Sequence, residues 1–66
     1  MKITQEQLIK SFEELYLIEK KARDYYGSLL LEGLSGKEQE TIQEIHDDEV
    51  RHMEIVKSII EIIRKD

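Results

Sequence analysis

The chain has no cysteine, which excludes disulfides, zinc-thiolate sites, iron–sulfur clusters and thiol catalysis. It also has no proline and few aromatics, 3 Tyr and 1 Phe, against a charged content of 38%. That composition suits long helices with solvated outer faces. No apolar run approaches the roughly 18 residues that a membrane span needs. Positive charge is in deficit: 10 basic residues against 15 acidic ones give a net charge of −5, which argues against a nucleic acid or an anionic membrane surface as partner. The opening Met1-Lys2-Ile3-Thr4 leads into a polar segment rather than the apolar core of a signal peptide, so a cytoplasmic location is expected. Sixty-six residues make one small domain, residues 1–66, and a chain this short buries only a thin core unless something staples it. With thiols gone, metal or self-association is left.

The second half of the chain is richest in pattern. Ile42, Ile45, Glu49, His52, Val56, Ile59 and Ile63 follow one another at alternating steps of three and four, which lays a continuous seam along a helix. Five of the seven are Ile or Val. The two in the middle are a carboxylate and an imidazole, and a buried ionised carboxylate costs roughly several kcal/mol unless it is paired or bound to a metal. Glu49-x-x-His52 puts both side chains on one helix face about one turn apart, a separation that one cation spans.

The first half repeats the theme. Thr4 with Gln7 reads as a capping box, so a helix is predicted from about residue 5. Leu8, Phe12, Leu15, Ala22, Tyr26 and Leu29 form its apolar stripe, and the vacant place in that ladder is filled by Glu19. Gly33 supplies a left-handed C-terminal cap, which predicts a helix over about 5–32 and a turn over 33–35. Ser35 and Glu38 read as a second capping box, and Arg64 and Lys65 suit the C-terminal dipole of a second helix over about 36–65. The expected fold class is all-α, an antiparallel two-helix hairpin.

Counting from the turn places the polar residues. At about 1.5 Å of rise per residue, Glu19, Glu49 and His52 stand about 23, 22 and 26 Å from it. Three potential ligands meet at one level, which is also the midpoint of both helices. One hairpin offers two carboxylates and one imidazole, too few to close a site, and leaves its seams uncovered. A two-fold axis through the midpoint buries both seams against a second copy and collects four Glu and two His. A Glu from each of two helices and a Glu-x-x-His from each of the other two is the donor set of two-metal carboxylate bundles. Two divalent ions balance the four carboxylates. Oxygen and imidazole donors suit iron or manganese, and zinc also binds such a set. Tyr26 lies two turns from Glu19 on the same face, its phenol leaning back toward the carboxylate, and is the candidate catalytic side chain, fixing the ligand and shuttling a proton.

Glu19-x-x-Ala22-x-x-x-Tyr26 and Asp48-Glu49-x-x-His52 resemble the two iron-binding helices of the rubrerythrin and ferritin-like families. The resemblance runs from about Phe12 to Ile60 and covers half of a four-helix domain, so the chain is similar to a half-ferritin such as the encapsulated ferritins. That resemblance implies dimerisation into a ferritin-like four-helix bundle, two Fe per dimer held by Glu19, Glu49 and His52, and ferroxidase activity toward Fe(II) with dioxygen or peroxide. Rubrerythrin-like or manganese-catalase-like peroxide removal is the enzymatic alternative. The non-enzymatic ones are a helical homo-oligomerisation module whose polar layer only sets register, and a structural zinc module. A homodimer or higher homo-oligomer is expected; an encapsulating shell or electron donor is not legible.

Other residues read more simply. His46 lies on the edge of the seam one turn before Glu49, as an exposed or hydrogen-bonded histidine or an extra ligand; Tyr25 reads as a flanking aromatic. Asp48 stands four residues from His52, while Asp47, Glu13, Glu14, Glu38 and Glu44 read as a wet outer face. Gly27 allows close helix approach or a bend. Met53, Ile55, Ile60 and Ile62 flank the seam and point to further subunit contacts.

Overall fold

The computed structural model describes residues 2–65. It contains two helices, α1 (Gln5–Leu30) and α2 (Gly36–Lys65), packed against each other as a rod with principal extents of 49 × 17 × 15 Å. Among the described residues no helix is long and apolar enough to cross a membrane.

Local chemistry sets the ends of both helices. Thr4 caps α1 with the reciprocal pair its sequence predicts: Gln7 N–H donates to Thr4 Oγ1 at 3.1 Å, and Thr4 N–H donates to Gln7 Oε1 at 2.9 Å. α1 stops two residues before the expected end. Leu31 and Glu32 N–H donate to Ser28 and Leu29 carbonyls at 3.2 and 3.0 Å, so the last turn tightens to three-residue bonds before Gly33 reverses the chain at φ 75°. The second cap also differs from expectation: Ser35 Oγ donates to the Glu38 carboxylate, while the Ser35 carbonyl accepts Gln39 N–H at 2.8 Å. At the far end, Arg64 Nη2 donates to Glu13 Oε2 at 3.2 Å and Gln5 Nε2 donates to the Ile63 carbonyl, tying the termini of the two helices together.

The core is thin and is rotated from the predicted seam. Met53, Val56 and Ile60 are the buried hydrophobic residues, and Ile42, His46, Glu49 and Ile63 continue their line half-buried. Facing them on α1 are Ile9, Phe12, Tyr16, Glu19, Arg23 and Leu30, all half-buried. Met53 and Ile60, expected to flank the seam, are its centre, whereas His52 is exposed and Ile45 and Ile59 are half-covered. The reason is the surplus of apolar residues on α2, where two adjacent stripes both satisfy helical periodicity and only one can face α1.

The other stripe is only partly covered: Ala22, Leu29, Ile45 and Ile59 are half-buried, and Leu8, Leu15 and His52 are exposed. Leu8, Leu15, Ala22 and Leu29 on α1, and Ile45, His52 and Ile59 on α2, recur every seven residues, a step that drifts by only about 20° and so keeps each row on one side. Antiparallel packing brings the two rows to the same side of the hairpin. Leu8, Leu15, Ile18, Ile55 and Ile62 there are exposed. The chain's accessible surface is 5417 Å². A folded monomer of this 7.9 kDa mass is expected to expose about 4,400 Å². The excess, about 1,000 Å², is close to what one partner contributes to a standard interface.

Gly27 marks a close approach of the helices. A Cβ built there would stand 3.6 Å from His46 Cδ2 and 3.7 Å from Nε2, ordinary contact distances. Gly27→Ala should therefore raise stability by about 1 kcal/mol through helix propensity, which a thermal melt would register as a rise of about 4–8 °C. A fall would show that the methyl group displaces the imidazole.

Candidate metal centre

The polar layer sits at mid-length, where the two helices are held at both ends. Glu19 projects from the middle of α1 toward α2, and Glu49 and His52 come from one turn of α2. One ligand atom from each of Glu19, Glu49 and His52 lies within 4.8 Å of the others, the one such grouping of three metal-ligating side chains among the described residues.

The three side chains have different environments. Glu19 is 19% exposed, and its Oε2 is sealed from solvent without a hydrogen-bond partner. His52 Nδ1 stands 3.5 Å from that oxygen, and its ring is 54% exposed toward the uncovered face. Glu49 is half-buried beside Glu19. A hydrogen bond that the protonated Glu49 carboxyl makes to Glu19 raises its pKa above the ordinary 4.5; burial and the charge of Glu19 act in the same direction, and the charge of His52 acts against them. Two carboxylates facing each other in a partly dry seam thus need a cation between them.

The donor set fits a divalent metal. Glu19 Oε2 lacks the partner that a buried carboxylate oxygen requires, two carboxylates neutralise a dication, and a neutral imidazole completes a hard-to-borderline set suited to iron, manganese or zinc. His52, the exposed member of the three, stands in the row of Ile45 and Ile59. The grooves on the hairpin surface are lined by other residues, among them Tyr16, Lys57 and Ile60 on one side and Leu29, Leu34 and Ile42 near the turn.

Compared with known protein families, curated proteins and solved structures, the chain matches none.

Tyr26 is half-buried on α1 but does not make the contact with Glu19 that its spacing suggested. Glu19 Oε2 accepts no hydrogen bond from it, and its ring packs instead edge to face on Tyr25, with centroids 5.4 Å apart. The phenol therefore does not fix the Glu19 carboxylate in this structure. His46 lies outside the three-residue grouping; its Nδ1 is 3.4 Å from Asp47 Oδ1, which also accepts Gln43 Nε2 at 2.9 Å. Those contacts, Gln43 first and His46 second, hold the Asp47 carboxyl below its ordinary range. Asp47 was expected simply on a wet face; its four-residue spacing from Gln43 was the available signal of this link. Asp48 is exposed and pairs with Arg51 at 3.7 Å.

The raised pKa of Glu49 gives a pH signature. In the metal-free chain its folded pKa is raised, so between 4.5 and that raised value the folded state binds more protons than the unfolded one. Its contribution to stability is complete below 4.5 and lost as pH rises through the raised value. Asp47, with a lowered pKa, has the opposite sign, so the comparison is with Glu49→Gln. The expected melting temperature of the metal-free wild type, relative to Glu49→Gln, falls on raising pH from about 4.5 to 7. Loaded with metal, the wild type should instead lose stability as pH falls, because protons displace the cation. Parallel curves for wild type and variant without metal would contradict the raised pKa of Glu49.

Proposed function

We propose that two copies of this hairpin pair through their uncovered faces into a four-helix bundle, close a two-metal site with Glu19, Glu49 and His52 from each chain, and oxidise Fe(II) there as half-ferritins do. The observation that carries this reading is the sealed, unpartnered Oε2 of Glu19 in a three-ligand cluster. Four carboxylates and two imidazoles then surround two divalent ions with no net charge, the ligand set of di-iron carboxylate bundles.

Each side chain has a distinct task. Glu19 provides the fixed anionic anchor on α1. Glu49 would bind Fe(II) as the carboxylate, and its raised pKa makes protons compete with the metal there as pH falls. His52 closes the site from the side of the partner copy. The apolar residues above and below, Ile45 and Val56 on α2 and Phe12 and Ala22 on α1, keep water from competing for the ligands. Bound iron supplies the redox chemistry, each ferrous ion giving one electron to dioxygen or peroxide.

Stopped-flow mixing of the Fe(II)-loaded protein with dioxygen, and separately with peroxide, tests this function. Oxidation well above the rate of free Fe(II) with dioxygen supports a ferroxidase. Rapid reaction with peroxide alone would transfer the site to peroxide removal, and rates equal to free iron would leave a helical assembly module.

A further inference from the structure

Arg23 follows Glu19 by four residues, the spacing and the order in which a carboxylate and a cation pair along a helix. Both stand on the side of α1 that faces α2, and both are half-buried. Long side chains lean toward the N-terminus of their helix, a direction that carries the Arg23 guanidinium toward the Glu19 carboxylate. The two do not pair. Arg23 Nε and Nη2 both donate to Asp24 Oδ1, at 3.0 and 2.8 Å, while Glu19 Oε2 is sealed from solvent without a hydrogen-bond partner. A cation able to satisfy that oxygen is held instead by the next residue in the chain.

The balance between the two acceptors is close. The Asp24 side chain is 59% exposed and that of Arg23 32%, so water weakens their ion pair. Desolvation of the guanidinium opposes the pair with Glu19, and the lack of any other partner for Oε2 favours it. We propose that Asp24 is a positioning residue for the metal centre: it latches Arg23 away from Glu19, and without it the guanidinium closes on Oε2 and competes with the metal for that ligand. This rests on the reading of Glu19 as a metal ligand. The two occupants exclude each other, because a guanidinium on Glu19 takes the sealed oxygen and neutralises one of the two carboxylates that a dication needs. The apparent metal affinity then falls with the fraction of molecules whose Glu19 is left free, so pairing in about nine molecules of ten weakens binding about tenfold. Glu54 lines the same groove as Arg23 and is the rival acceptor for a released guanidinium.

The test is a double-mutant cycle on the full chain: wild type, Asp24→Asn, Arg23→Gln and the two substitutions together, each titrated with Mn(II) by calorimetry. Asp24→Asn should bind about tenfold more weakly than wild type. Arg23→Gln should bind at least as tightly as wild type, and adding Asp24→Asn to it should change that affinity little. A lost negative charge acting only through space would weaken binding equally whether or not Arg23 is present, so an additive cycle overturns the latch and leaves the metal site standing. A second measurement needs no metal. The Arg23 Nε–H signal in heteronuclear NMR should shift on Glu19→Gln in the Asp24→Asn background and stay in place when Asp24 is intact. A signal that answers to Glu54→Gln instead, or to neither substitution, also overturns the latch. Absence of Mn(II) binding by wild type overturns both the site and its latch.

Discussion

Glu49→Gln is expected to abolish metal binding while making the metal-free protein more stable. The amide keeps the size of the carboxyl but carries no charge, so each half-site loses one of its three ligands. The affinity loss should exceed the ~10–100-fold that removing a mere outer hydrogen-bond partner of a ligand costs. The same amide donates a hydrogen bond to the orphaned Oε2 of Glu19 without needing a proton from solvent. A hydrogen bond to a charged group contributes about 1.5–3 kcal/mol, and a domain of this size registers each kcal/mol as about 4–8 °C of melting temperature. Calorimetry with Fe(II) or Mn(II) and a metal-free melt together check both signs. A variant that binds metal as wild type would remove Glu49 from the site; one that melts lower without metal would show the carboxylate pair already satisfied by the protein.

Ile59→Lys is expected to separate the two copies and, through that, to empty a site it does not touch. Ile59 lies seven residues from His52 on the uncovered face, about 10 Å along the helix. A lysine there leaves Glu19, Glu49 and His52 of its own chain unchanged. In the pair it replaces a buried Ile twice, each worth about 1.5–3 kcal/mol, and adds the desolvation of two ammonium groups. The dissociation constant should rise more than about 100-fold. Sedimentation at micromolar concentration reads the dissociation, and elemental analysis of the same sample reads the metal. A variant that stays dimeric would place the interface elsewhere, and a monomer that keeps its iron would show that one hairpin holds the metal alone.

Much of this arrangement is legible in the sequence because helix rise is so regular. Counting residues from Gly33 puts Glu19, Glu49 and His52 at one height without any knowledge of side-chain packing, and the structure brings their ligand atoms within 4.8 Å of one another. The Thr4 cap follows from a four-residue pattern whose bonds are all local. Rotation about the helix axis is less legible. Met53, Val56 and Ile60 face α1, and the stripe containing His52 lies beside them, because α2 is apolar over more of its circumference than one neighbour can cover.

The remaining differences arise from side-chain torsions. Tyr26 shares a face with Glu19, but spacing alone does not choose between leaning toward the carboxylate and stacking on Tyr25, and the structure has the second. The same holds for His46, whose Nδ1 lies 3.4 Å from Asp47 Oδ1. The early end of α1 at Leu30 is a matter of two tightened backbone bonds that no residue type announces.

The central claim is that acids and imidazoles from separate chains share a pair of metals. Anaerobic Fe(II) titration, with the mass of the assembly and its bound metal read together by native mass spectrometry, tests it most directly. The account predicts a dimeric species that takes up two iron ions to saturation. A monomer carrying its own iron, or iron adding to the protein without a definite ratio, would contradict it.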